Sequence, residues 1–114
     1  MINLPPYWKQ EPPPTLPDPA FNLTGKTGLV LKGTSEDIGE IMAIGSVALL
    51  SVVDIPPHSN TNDALFYIAR YDTGYNIDIL ATRQVGLLDS GTTLRIENKG
   101  TSTEQYKWSI IHLI

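Results

Sequence analysis

After residue 27 the chain runs through short stretches of alternating apolar and polar residues, each closed by turn-forming residues. These stretches cover residues 28–32, 45–55, 64–71, 75–82, 92–98 and 105–114. A period of two sends successive side chains to opposite faces of an extended chain, so each stretch predicts a β-strand. Leu94 and Ile96 share one face of their strand, and Thr93, Arg95 and Glu97 share the other. Ile77, Ile79 and Ala81 oppose Asn76, Asp78 and Thr82, with Leu80 out of step. Such strands bury one face and leave the other wet. Five or six of them, separated by turns, predict an all-β fold, an antiparallel sandwich or a jelly-roll-like barrel.

Two strands depart from this pattern. Along 45–55, Val47, Leu49, Val53 and Ile55 line one face while Ala48, Leu50 and Val52 line the other. Along 105–114, Tyr106, Trp108, Ile110 and Ile114 oppose Ile111 and Leu113. A strand apolar on both sides needs cover on both sides, and in a thin two-layer domain the second cover is a further subunit. Residues 34–44 fit two readings. Thr34 and Asp37 suit a capping box and Ile38, Ile41 and Met42 a helical stripe, whereas Gly39 and Gly45 hold any helix to a turn or two. A short helix or a loop is expected there.

Seven of the nine prolines fall within the first 19 residues: Pro5, Pro6, Pro12, Pro13, Pro14, Pro17 and Pro19. Each fixes φ and lacks an amide donor, which excludes helix and central strand and leaves extended or polyproline II chain. Residues 1–24 therefore read as an extended arm and residues 25–114 as the β domain. At ~3.1 Å per residue such an arm reaches roughly 70 Å. Leu4, Tyr7, Trp8, Leu16, Phe21 and Leu23 are spaced through it. A flexible linker favours Gly, Ser, Glu and Lys instead. Large apolar groups on a stiff backbone suit docking, because little entropy is lost on binding. The alternatives are a tail folded back on its own domain and a proline-rich ligand. Pro14-Thr15-Leu16-Pro17 supplies a PxxP core, but no arginine flanks it.

Composition sharpens this picture. Of 114 residues, 41% are hydrophobic and only 18% charged, so a small domain has uncharged surface to hide, and a subunit interface hides it. The net charge is -4 and no two of the eight basic residues are adjacent, which argues against nucleic acid and against anionic membrane. There is no cysteine, hence no disulfide framework and no thiolate metal site. The opening Met1-Ile2-Asn3-Leu4-Pro5-Pro6 lacks a charged leader and an apolar core, so no signal peptide is expected. For that reason Asn22-Leu23-Thr24, a glycosylation triplet by pattern, is read as chance.

The chemical motifs fail in context. Asp72-Thr73-Gly74 and Leu87-Leu88-Asp89-Ser90-Gly91 both resemble the catalytic loop of aspartic proteases. That chemistry needs two carboxylates sharing one proton across two lobes or two subunits. Loops 17 residues apart cannot come from separate lobes, and too little chain follows Gly91 for a flap and a second core. Both tripeptides are ordinary hairpin turns. Read as a calcium loop, Asp72 to Asp78 has glycine at its third position and Arg83 where a bidentate glutamate belongs. His58 and His112 form no ligand set. No catalytic group, cofactor or metal is expected, and the protein is read as a non-enzyme.

With these residues in view, the domain resembles small virion proteins of tailed bacteriophages, the head decoration (cement) proteins and the β-sandwich heads of fibres. The resemblance is carried by Ile44-Gly45-Ser46-Val47-Ala48-Leu49-Leu50-Ser51-Val52, Leu65-Phe66-Tyr67-Ile68-Ala69, Thr93-Leu94-Arg95-Ile96-Glu97-Asn98-Lys99-Gly100 and Tyr106-Lys107-Trp108-Ser109-Ile110-Ile111. It implies a structural role on the phage particle surface and a homo-oligomer, a trimer by preference. It also implies a major capsid or tail protein as partner, gripped through Leu4, Tyr7, Trp8, Leu16, Phe21 and Leu23. Lectin-like domains share this strand grammar. The competing expectation is therefore a carbohydrate-binding module that stacks sugars on exposed Tyr71 and Tyr75 beside Asp72 and Asn76.

Overall fold

The computed structural model describes residues 22–56 and 62–114. Eight strands follow one another: β1 (Asn22–Val30), β2 (Ser35–Gly39), β3 (Val47–Ile55), β4 (Asp63–Tyr71), β5 (Gly74–Thr82), β6 (Val85–Asp89), β7 (Leu94–Asn98) and β8 (Glu104–His112). They form two antiparallel sheets, one of five strands in the order β1-β8-β3-β4-β5 and one of three in the order β2-β7-β6. The all-β sandwich expected from alternation is the fold, and no helix occurs among the described residues.

The core fills the space between the sheets. The large sheet contributes Ala48, Leu50 and Val52 from β3, Ala64, Phe66 and Ile68 from β4, and Tyr106, Trp108 and Ile110 from β8. Val85, Leu94 and Ile96 face them from the small sheet. Pairing fixes these rows: Leu50 lies opposite Phe66 on one side and Ile110 on the other, and Val52 opposite Ala64 and Trp108. A one-residue slip would turn every one of these side chains outward.

The segment 34–44 is not a helix. Residues 35–39 form β2, which pairs with β7, and a loop follows. Ile38, Ile41 and Met42 do reach the core, but from a strand and a loop rather than from one helical face. Gly39, at φ 91°, breaks the strand at a register shift. Asp37, expected as part of a helix cap, instead accepts hydrogen bonds from the Gly39 amide at 2.6 Å and the Thr93 hydroxyl at 2.8 Å, tying β2 to β7.

Two further differences have local causes. β1 opens at Asn22, so residues 22–24 of the expected arm are strand, and Leu23 packs against the core. Gly25 sits within that strand because the Trp108 indole lies directly over it: a Cβ there would stand 2.4 Å from Trp108 Cζ2. In β5 the register shifts so that Leu65 faces Ala81 and Phe66 faces Ile79, leaving Leu80 as the bulged residue. That is why Leu80 is out of step in the sequence. Ile79, just before the bulge, is 61% exposed although its register partner Phe66 is fully buried.

Candidate interaction surfaces

The expectation of two-sided cover for β3 and β8 resolves into one dry face and one open face. Ala48, Leu50 and Val52 are buried, as are Tyr106, Trp108 and Ile110. The opposite faces look away from the small sheet. Register places Ile111, Leu49 and Tyr67 in one row across β8, β3 and β4, and Ser109, Ser51 and Leu65 in the next. Val53 follows beside Lys107 and Asp63. Val53, Leu65 and Tyr67 are each 36% exposed and Ile111 51%. A shallow cleft of about 370 Å³ opens at one end of this surface, lined by Val53, Leu65, Ala81 and Arg83 among others. Charge is confined to its margins, with Arg83 and Asp63 3.6 Å apart at the mouth of the cleft.

The β4–β5 hairpin carries the four residues considered for sugar contact. Tyr71 pairs with Gly74 around the turn and is 53% exposed, and Asp72 and Asn76 are exposed as well. Tyr75 is not an exposed platform. It is 9% exposed, its hydroxyl donates to the Thr92 carbonyl at 2.7 Å, and its ring lies 4.7 Å from the Arg70 guanidinium carbon. Burial raises the Tyr75 phenol above its ordinary value, a shift the Arg70 charge partly offsets. Alternation carried the signal, because Tyr75 shares its face with Ile77, the core-facing side of β5.

Arg70 is the residue at this end that sequence reasoning missed. It is 2% exposed, donates to the Gly91 carbonyl at 2.8 Å, and meets the Glu40 carboxylate at 3.3 Å. One side chain thus joins the hairpin, the 40–46 loop and the β6–β7 turn. Its parity with Phe66 and Ile68 along β4 marks it as inward-facing.

The two protease-like tripeptides are turns. Asp89 accepts from the Tyr75 and Gly91 amides at 3.1 and 2.8 Å, so both its oxygens are engaged in shaping the end of the sandwich. Two buried acids, Asp54 and Glu104, flank Tyr106 inside the core, at 1% and 4% exposure. Desolvation first, and then these two carboxylates, push the Tyr106 phenol up to about 12. A polymeric substrate cannot reach groups so enclosed. Among the described residues no three His, Cys, Asp or Glu side chains gather as a metal site.

Of the arm's six apolar anchors, Leu23 alone lies in the described structure, half-buried on β1. Leu4, Tyr7, Trp8, Leu16 and Phe21 lie outside the described residues, as does His58. His112 ends β8 half-exposed.

Comparison with known proteins gives a fold. No protein-family model matches the chain. No curated protein matches it by sequence. Among solved structures it is similar to the tailspike protein of Acinetobacter phage vB_ApiP_P1, with a TM-score of 0.60 over 91% of this chain at 11% identity. It is also similar to the tailspike protein gp49 of Acinetobacter baumannii bacteriophage Fri1, a capsular polysaccharide depolymerase, with a TM-score of 0.57 over 85% of this chain at 10% identity. The chain spans 23% and 18% of those two proteins. At such identity the likeness is one of architecture. A sandwich of similar architecture occurs in part of two phage tailspikes.

Proposed function

We propose that this chain is a non-catalytic structural component of a phage particle, a tail, fibre or spike part. In this reading it docks on neighbouring subunits through its proline-rich arm and self-associates through its β domain. The observation that carries the reading is the architecture shared with two phage tailspikes over nearly the whole described chain. The open apolar face of the five-stranded sheet supports it independently, because an isolated domain of this size has no use for a row such as Ile111–Leu49–Tyr67 in water.

The depolymerase activity named for one neighbour belongs to a chain more than five times as long as the matched part. Here Asp89 is engaged by two turn amides, Asp72 stands alone among the described residues at the exposed hairpin tip, and the enclosed pair Asp54 and Glu104 is out of reach, so a structural role is the reading the geometry favours. Sugar binding at Tyr71, Asp72 and Asn76 loses its second aromatic platform, since Tyr75 faces inward.

The test is attachment to particles. Epitope-tagged full-length chain, expressed during phage assembly, should co-sediment with virions. The chain lacking residues 1–21 should stay in the supernatant while keeping its strand signature by circular dichroism. Full-length chain found only in the soluble fraction would refute the reading.

A further inference from the structure

We infer that the open face of the five-stranded sheet is the seat of the N-terminal arm of a neighbouring copy of this chain, with Tyr7 and Trp8 as the side chains that occupy it. The inference rests on the self-association proposed above and names its site.

The face has the character of a polyproline receptor. Leu49, Val53, Leu65, Tyr67 and Ile111 form an apolar field, and the hydroxyls of Ser51, Ser109 and Tyr67 are set among them. Proline-rich chain has carbonyls to satisfy and few amides to offer, so it binds aromatic and apolar surfaces that carry scattered donors. It is poorly suited to extend an edge ladder, because the consecutive prolines at 5–6 and 12–14 remove amide donors from both sides of the backbone. A broad face suits it better than the edge of β1 or β5.

Size argues against two bare faces pressed together. Five strands at ~4.8 Å spacing and nine residues at ~3.4 Å give a whole face of about 19 by 27 Å, roughly 500 Å², of which the apolar field on β8, β3 and β4 is only a part. A standard interface buries about 800 Å² per partner. A second copy's flat face therefore falls short, whereas an arm laid over the field adds its own enclosing contacts.

Reach decides whose arm it is. The arm joins the sheet at Asn22, which pairs with Ile111 at the start of the apolar row. Phe21 and Leu16 are within range of their own subunit. Trp8 lies 14 residues before Asn22. At ~3.1 Å per residue that is about 43 Å, more than twice the width of the sheet. The distal anchors overshoot their own face and meet the next copy's.

The chain has no native thiol, so introduced ones are unambiguous. Full-length Lys9→Cys and Ser51→Cys chains, mixed and treated with a short flexible bismaleimide, place one thiol beside Trp8 and one on an exposed serine in the middle of the face. The expected result is a cross-linked heterodimer forming about a hundredfold faster than with Thr73→Cys at the exposed hairpin tip as the second partner. Equal rates at the two positions would overturn the inference. So would homodimers of the Ser51→Cys chain alone, which mean face-to-face packing, or, in a chain carrying both Lys9→Cys and Ser51→Cys, a product confined to single chains, which means the arm lies on its own subunit. Light scattering on the unmodified chain separates the levels. An oligomer without the cross-link sinks this placement only, and a monomer sinks the self-association as well.

Discussion

Gly25 and Trp108 offer a quantitative check on the sandwich. They pair across β1 and β8, and a Cβ built on Gly25 stands 2.4, 2.6 and 2.9 Å from Cζ2, Cε2 and Nε1 of the indole. Carbon atoms in contact settle at ~3.5–4.0 Å, so Gly25→Ala must push the ring back by about 1 Å. The ring cannot retreat freely, because Trp108 is 8% exposed in a row with fully buried Tyr106 and Ile110. Overpacking of this kind costs ~1–3 kcal/mol, and the rigid indole puts this site at the upper end, about 2–3 kcal/mol. For a domain of this size that lowers Tm by roughly 8–20 °C. In a Trp108→Leu background the obstruction is gone, and Gly25→Ala should be neutral or stabilise by up to ~1 kcal/mol through backbone entropy. The coupling energy from four urea titrations followed by circular dichroism should therefore be about 2–3 kcal/mol. Equal costs in both backgrounds would refute the β1–β8 register.

Arg70→Met should destabilise the domain by about 2–4 kcal/mol, since it removes a charged hydrogen bond, an ion pair and a cation–π contact from one buried site; denaturant titration measures it. Among the described residues the buried Tyr106 hydroxyl has no hydrogen-bond partner, so Tyr106→Phe should stabilise by ~1–2 kcal/mol in the same assay. Because the Tyr106 phenol is raised to about 12, the fold holds only its neutral form; stability is undiminished by this group below pH ~10 and is lost as pH climbs through the folded value, a loss that Tyr106→Phe should remove. Asp37 is held below its ordinary 3.8 by the Thr93 hydroxyl first, then the Gly39 amide and Arg95. Its contribution is present above pH ~4 and disappears as pH falls through the lowered value, so Thr93→Val should move the acid unfolding midpoint upward.

What could be read from the sequence was decided by periodicity. β3, β4, β5, β7 and β8 are long enough, or clean enough in alternation, to be recognised. β2 carries one apolar residue, Ile38, and is held by polar links such as Asp37 to Thr93 and Arg95 to Ser35, which no hydrophobic pattern records. β6 was hidden by Leu87-Leu88: Val85 and Leu87 face the core with a period of two, but Leu88 puts an apolar residue, 39% exposed, on the outer face and blurs the alternation. At the hairpin end, residue type misled while parity held the answer. A tyrosine beside a turn suggests exposure, yet Tyr75 follows the inward face of β5. An arginine suggests solvent, yet Arg70 follows the inward face of β4. The apolar outer face was legible as a two-sided strand pattern, but its extent across β8, β3 and β4 depends on register, which a single chain does not display.

The most direct test is the mass of the purified full-length chain by light scattering across a range of concentrations. Self-association through the sheet face and arm predicts an assembly of about three times the 12.5 kDa chain mass, dissociated by Leu49→Asp on the open face. A particle of 12.5 kDa at every concentration would contradict the account.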